Sequence, residues 1–315
     1  MDKLKTWIAT TPYKDYEISV ASADASFRKY YRLKSALTQE SVIVMDSSLE
    51  KESLVPFLDV TQRLLREGVK APQILEQNVA DGYLILEDFG NTLYLSILNE
   101  SNFELLYEKA IDEILKMQKA DVTGLPIYDK KFLHYEMDLM HDWYLEKKLN
   151  LTLTQEQEKM LEKSLDAISE VVLSQPQNLF VHRDFHSRNI MLTPNNEIGV
   201  IDYQDAMSGA LTYDLVSLLK DCYIEFEREK VIALVLKYRD KLLLRESDET
   251  FIKWFDFMGL QRHIKVLGIF SRLFLRDGKD GYLKDIPLVR KYTIETASRY
   301  EETKALAEFL KEFTE

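Results

Sequence analysis

One stretch of this chain limits what it can fold into more than any other. His182-Arg183-Asp184-Phe185-His186-Ser187-Arg188-Asn189 is a polar run, with apolar Val181 before it and Ile190-Met191-Leu192 after it. A turn at Thr193-Pro194-Asn195-Asn196 follows, then Ile198 to Ile201 and Asp202, thirteen residues past Asn189. Two short apolar segments joined by turn residues form a hairpin. Closing that hairpin sets Asn189 and Asp202 side by side at one edge. A solvated surface loop would not need apolar residues on both flanks.

The elements around this run change type along the chain. Tyr16 to Val20, Phe27 to Leu33 and Val42 to Met45 alternate aromatic or β-branched residues and read as strands. A helix is predicted from Leu54 to Arg66, with Leu54, Phe57, Leu58, Leu64 and Leu65 on one face and Gly68 at its C-terminal cap. Strands are predicted again at Gln73 to Glu76 and Tyr83 to Leu86. Past Gly90 the period becomes helical. Ser101 with Glu104, and Thr154 with Gln157, each have the spacing of a capping box. Leu133 to Lys148, Lys230 to Leu243, Asp248 to Arg276 and Leu288 to Leu310 are expected as helices. So is a segment whose apolar face runs from Leu215 through Cys222 to Phe226. Strands first and helices later is an α+β order. The break falls near Asp88 to Thr92, so residues 1–90 and 91–315 are expected as two lobes.

Composition excludes several classes of partner. A net charge of −12 argues against a sequence-independent grip on nucleic acid or on an anionic membrane. The single cysteine, Cys222, leaves no intrachain disulfide and no Cys-rich metal site. No apolar run approaches the roughly 20 residues that span a bilayer. A cytoplasmic monomer is the expectation.

The chemistry follows from the polar run. H-x-D-x-x-x-x-N, followed by a strand, a turn and a second strand ending in Asp, is the arrangement of a kinase catalytic loop. Phosphoryl transfer needs a hydroxyl placed in line with the γ-phosphorus and a triphosphate whose charge is neutralised. Asp184 can orient the hydroxyl and accept its proton late in the reaction. Asp202 and the amide oxygen of Asn189 offer hard oxygen ligands for Mg2+. ATP and Mg2+ are therefore the expected cofactors.

Val181 to Tyr223 resembles the aminoglycoside/choline kinase phosphotransferase family. The resemblance is closer to its bacterial anomeric kinases of N-acetylmuramate and N-acetylglucosamine, which serve cell-wall recycling. It is carried by Ser22 to Tyr30, Val44-Met45-Asp46, Leu86-Glu87-Asp88, Val181 to Met191, Ile201 to Ala206, Thr212 to Leu219 and Gly259 to Gly268. It implies a two-lobed protein-kinase-like fold, with a β-rich N-terminal lobe for the nucleotide and a helical C-terminal lobe for the acceptor. By similarity Asp184 is the catalytic base, and Asn189 and Asp202 hold magnesium. Glu87 belongs to the hinge whose backbone meets adenine, and His182 and Asp214 support the catalytic loop. Asp214 also fits an ordinary carboxylate at a helix N-terminus.

The sequence departs from the kinase pattern in two places. Ser22 to Ser26 contains no glycine, although Asp24 and small residues could still turn there, and Ser26 remains a nucleotide-binding candidate. Val42 to Asp46 lacks the usual strand lysine. Arg28, Arg32 and Lys34 share one strand face, so Arg28, and next Arg32, are candidates for the missing cation. They also fit solvated edge-strand charges. For the acceptor, Gln204 and Asp205 follow a metal ligand directly. Arg262, His263 and Lys265 form a polar cluster in an apolar helix, where Arg262 and His263 could meet a carboxylate or sugar hydroxyl, or pack as a structural pair. His134, His141, Asp142 and Trp143 read as helix surface, His186 as a structural hydrogen-bonder and Cys222 as an inert hydrophobe.

The expectation is a sugar kinase whose product is the sugar 1-phosphate, with a small-molecule amino sugar as its partner. An aminoglycoside- or choline-type kinase and a non-catalytic nucleotide-binding protein remain alternatives. A protein kinase does not, since neither Asp-Phe-Gly nor Ala-Pro-Glu follows.

Overall fold

The computed structural model describes residues 2–22 and 28–313. The chain divides into two compact units, Met1–Ile97 with Arg188–Ala206, and Leu98–Ser187 with Met207–Glu315. Each is described by itself.

The first unit is built on a five-stranded antiparallel sheet. Its strands are β1 (Glu17–Ser22), β2 (Lys29–Lys34), β3 (Ser41–Asp46), β4 (Ile74–Asn78) and β5 (Tyr83–Glu87), in the order β1-β2-β3-β5-β4. Alternation sorts the side chains. Tyr31, Leu33, Val42, Val44, Tyr83 and Ile85 cluster with Leu4 and Ile8 of helix α1 (Asp2–Ile8). The opposite face then carries Arg32 across from Ile43 and Tyr30 across from Met45. Helix α2 spans Leu54–Arg66 and buries Leu54, Phe57, Val60, Thr61 and Leu64, and the one-turn helix α3 spans Tyr94–Ile97. Gly68 follows α2 at φ 72, the left-handed position expected of a C-terminal cap.

Residues 188–206 join this unit and not the helical remainder. Their hairpin pairs β7 (Ile190–Leu192) with β8 (Ile198–Val200). Leu192 N donates to Thr92 O at 2.8 Å and Val200 N donates to Lys70 O at 2.9 Å. A boundary at residue 90 therefore misses a segment returned by backbone pairing between residues about 100 positions apart.

The second unit is helical, with a small strand pair, β6 (Leu179–Val181) and β9 (Met207–Gly209), that the sequence did not signal. Its central helix, α9 (Asp248–Leu275), is buried at every position from Trp254 to Gly268. Around it lie α5 (Lys130–Leu139), α6 (Gln155–Ser174), α7 (Tyr213–Leu219), α8 (Arg228–Lys241) and α10 (Ile286–Ala297). The Thr154–Gln157 capping box forms as expected. The one at Ser101 does not: Ser101 Oγ donates to Asn99 Oδ1 at 2.5 Å, and Asn102 is the N-cap of α4 (Phe103–Met117). Local asparagine turns compete successfully there. Two expected long helices also break. Leu215 to Phe226 stops at Leu219, and Leu288 to Leu310 divides into α10 and α11 (Lys304–Lys311), with Thr303 Oγ1 donating to Ala297 O at 3.0 Å.

Leu133 to Lys148 is α-helical only to Leu139, then π-helical from Met140 to Lys148. Opposite Leu139 stands Gly268 of α9, where an added Cβ would lie 2.2 Å from the Leu139 carbonyl carbon. Backbone cannot retreat as a flexible side chain can. Gly268→Ala is expected to destabilise the protein by about 1–3 kcal/mol or more, read as a lowered midpoint in urea. An unchanged midpoint would show that the two helices separate freely.

Candidate active site

The loop after β6 is held from behind by buried acids. Asp214, in the first turn of α7, accepts from His182 N at 2.8 Å and Arg183 N at 3.0 Å. Arg183 has φ 78, a left-handed conformation that costs a non-glycine residue of order 1 kcal/mol. Those bonds sustain it, together with Arg183 Nη2 to Glu136 at 2.6 Å and Ser217 Oγ to Arg183 O at 3.2 Å. Farther along, Ser187 N donates to Asp221 Oδ2 at 2.9 Å. Burial pushes the Asp214 carboxyl up to about 6, against the opposing pull of His182 and the two backbone N–H groups.

Asp184 stands between these clamps with 43% of its side-chain surface exposed. Partial burial raises its pKa. Lys265, His186, Arg262 and Arg183 outweigh that and hold it well below the usual carboxylate range. Arg262 Nη2 lies 3.9 Å from Asp184 Oδ1, while Arg262 Nε donates to Ser217 Oγ at 2.7 Å and Nη1 approaches Cys222 Sγ at 3.7 Å. Lys265 Nζ is 3.1 Å from both Glu136 Oε1 and the Tyr213 hydroxyl. Glu136 also accepts from Gln261 Nε2 at 3.1 Å and from the Tyr128 hydroxyl. It is the buried anion that balances Arg183 and Lys265.

Sequence reasoning missed Glu136, Ser217 and Asp221. Glu136 had a signal: it lies one turn from Leu133 and Met140, on the apolar stripe of its helix, where an ionised acid needs a partner. Ser217 and Asp221 had none.

His263 is corrected by the structure. Its ring is fully buried, stacked on Tyr292 with centroids 5.0 Å apart, and Nε2 meets Lys220 O at 3.1 Å. Neighbours on a helix lie about 100° apart, so Arg262 turns to Asp184 and His263 turns to packing. Burial first, then Lys220, lowers the His263 pKa to about 3. The unfolded imidazole takes up its proton near 6.5, so its contribution to stability is full above that pH. It is lost as pH falls toward 3, by about 1.4 kcal/mol at pH 5.5. His263→Gln is expected to flatten the dependence of stability on pH between 7.5 and 5.5 by that amount. Urea melts at both values check it, and parallel slopes for the two proteins would refute the assignment.

In the first unit Asn189 Nδ2 donates to Asp202 Oδ2 at 3.3 Å, and Ile201 N donates to Asn189 O at 3.1 Å. Asp202 has φ 65, the unit's counterpart of Arg183. Tyr203 fixes it: the ring stacks on Phe57 at 5.2 Å and its hydroxyl meets Thr61 Oγ1 at 2.8 Å, both on α2. Gln204 Nε2 donates to Asp202 Oδ1 at 2.9 Å and Asp205 Oδ2 at 3.3 Å, so Asn189, Asp202, Gln204 and Asp205 form one hydrogen-bonded chain. The amide and carboxylate oxygens of Asn189 and Asp202 fit a hard divalent cation.

The candidate cations differ in their engagements. Arg32 grips Asp88 through Nε at 2.6 Å and Nη2 at 3.0 Å, and also donates to Gly90 O at 3.0 Å. Burial raises the Asp88 pKa, but Arg32, Ser41 and the Gly90 N–H bring it below the ordinary value. Arg28 precedes β2, is buried, and reaches Ser53 Oγ at 3.3 Å just before α2. Glu87 pairs with Lys70 at 2.6 Å. Ser26 lies outside the described residues. His141 meets Asp142 and Glu158 at 3.1 Å on the surface of the π-helix, and Lys147 covers the Trp143 ring at 3.7 Å.

Residues 17–249 match the model of the phosphotransferase enzyme family. The chain belongs to that family. Among its relatives, an N-acetylmuramate/N-acetylglucosamine kinase of Neisseria meningitidis serogroup B is 40% identical over 98% of this chain and 95% of its own. A Pseudomonas aeruginosa protein of the same name is 39% identical, over 93% and 88%. Of solved structures, ADP-bound aminoglycoside phosphotransferase APH(2'')-Ib is similar with TM-score 0.64 and 18% identity, covering 94% of this chain and 99% of that one. A Plasmodium vivax ethanolamine kinase is similar with TM-score 0.65 and 12% identity, over 95% and 87%. The fold of this phosphotransferase is thus the kinase-like α+β fold expected from its sequence. Among the described residues no helix is long and apolar enough to cross a membrane.

Proposed function

We propose that this phosphotransferase moves the γ-phosphate of ATP to the anomeric hydroxyl of N-acetylmuramate or N-acetylglucosamine, giving the sugar 1-phosphate for re-use of cell-wall sugars. The observation that carries the reading is Asp184, a half-exposed carboxylate kept ionised by Arg183, Arg262 and Lys265. Such a carboxylate is a weak base. It orients a hydroxyl well, and it suits an anomeric hydroxyl, which is more acidic than an ordinary alcohol. The new bond joins the anomeric oxygen to the γ-phosphorus, the bond to the β,γ-bridging oxygen breaks, and the hydroxyl proton passes to Asp184 late. Asn189 and Asp202 would hold Mg2+, which when bound neutralises triphosphate charge. Arg28 is the candidate for the phosphate-facing cation, since Arg32 is committed to Asp88. The names of the full-length relatives support the acceptor.

The test is ADP release with ATP and Mg2+, offering N-acetylmuramate, N-acetylglucosamine, glucosamine, choline and kanamycin in parallel. Turnover with the N-acetyl sugars, with a 1-phosphate as product, is the expected result. Turnover with choline or kanamycin alone would reassign the acceptor. Nucleotide binding with no turnover on any of them would overturn the kinase reading.

A further inference from the structure

A row of aromatic rings begins in the loop of Asp184, wholly within the helical unit. His186 meets Tyr223 edge-on, with centroids 5.3 Å apart at 82°. Tyr223 lies 6.4 Å from Phe270 at 31°, and Phe270 lies 5.1 Å from Tyr282 at 32°. Phe270 is buried, whereas His186, Tyr223 and Tyr282 keep part of their surface. On α9, Arg262, Val266 and Phe270 fall at i, i+4 and i+8 and so share one face. Its first residue approaches Asp184, and its last carries the two tyrosines, about 12 Å along the helix axis.

Core packing accounts for Phe270. Tyr223, from a loop, and Tyr282, from the 3-10 segment Asp280–Asp285, meet Phe270 while keeping part of their rings exposed. A pyranose has an apolar face of C–H bonds and a rim of hydroxyls. It lies flat on an aromatic ring, and tyrosine adds a polar tip at the edge. A row of rings also attracts cations, but Arg262 and Lys265 at its Asp184 end oppose that use.

We infer that Tyr223 and Tyr282 form the acceptor's ring-binding platform, taking a pyranose by its C–H face with the reacting hydroxyl directed back to Asp184. This rests on the function proposed above and adds the residues that select a ring. The test is steady-state kinetics with N-acetylglucosamine and ATP. Tyr223→Ala and Tyr282→Ala are each expected to raise the acceptor KM about three- to tenfold, with kcat and the KM for ATP within about twofold. Tyr223→Phe, which keeps the ring and loses only the polar tip, should raise the acceptor KM less than Tyr223→Ala does. If Tyr223→Ala does not fold, Tyr282→Ala on its short surface segment decides alone. Folded alanine variants with an unchanged acceptor KM, or with an equal rise in the KM for ATP, would overturn the platform. If wild type ignores N-acetyl sugars, the proposed acceptor fails separately. The platform then predicts the same rise with kanamycin, a pyranose acceptor, and turnover of choline alone would overturn it too.

Discussion

Asp184→Asn is expected to lower kcat roughly 10²- to 10⁴-fold, the range for losing a positioned general base, while nucleotide affinity stays within a few-fold. The substitution preserves shape and removes the charge. The amide still accepts a hydrogen bond from an acceptor hydroxyl, but it cannot take the proton. It also leaves Arg262, Lys265 and Arg183 facing a neutral group in place of the anion they surround. Fluorescent nucleotide titration alongside the ADP-release assay separates the two effects. A kcat within threefold of wild type would remove Asp184 from the chemistry. Because the folded carboxyl titrates well below its ordinary value, Asp184 remains ionised through the mildly acidic range. Loss of activity near pH 6 would therefore have to arise from another group. Asp214, raised to about 6 and bonded to both His182 N and Arg183 N, is the candidate.

The largest loss of stability is expected at Glu136. Removing one partner of a buried ionic set costs about 3–5 kcal/mol, because the opposite charges stay buried without compensation. Glu136→Ala would leave Arg183 and Lys265 in that state, and would also free Gln261 and Tyr128 from their acceptor. The same change releases the left-handed Arg183, so kcat should fall in whatever protein remains folded. Urea melts of Glu136→Ala, Lys265→Met and the double variant distinguish this account from simple cavity formation. Coupling predicts a double variant less destabilised than the sum of the singles. Strict additivity, or a Glu136→Ala cost below about 1 kcal/mol, would contradict it.

Local signals gave α2, its Gly68 cap and the β7–β8 hairpin, because each depends on residues within one turn of helix or one strand pair. They failed where neighbouring polar groups compete, and where a partner lies far along the chain. The Ser101 cap yielded to Asn99 and Asn102, and the helix after Leu288 broke where the Thr303 hydroxyl took the Ala297 carbonyl. The face of β2 that carries Arg32 was legible by alternation. That Arg32 spends its fork on Asp88, 56 residues away, was not.

The sequence by itself determined that strands come first and helices later, and which side chains are the candidates for the chemistry. Asp184, Asn189 and Asp202 declare themselves through spacing and apolar brackets, since a catalytic loop has to be held by short buried strands. Tertiary structure alone decided their chemical state. Whether Asp184 is ionised depends on Arg262 and Lys265, and whether Arg183 keeps its strained backbone depends on Glu136 and Asp214. Those partners come from helices far along the chain. Electrostatic energy falls with distance in space and not with separation in sequence, so the pattern of residues could name the candidate base but not what holds it charged.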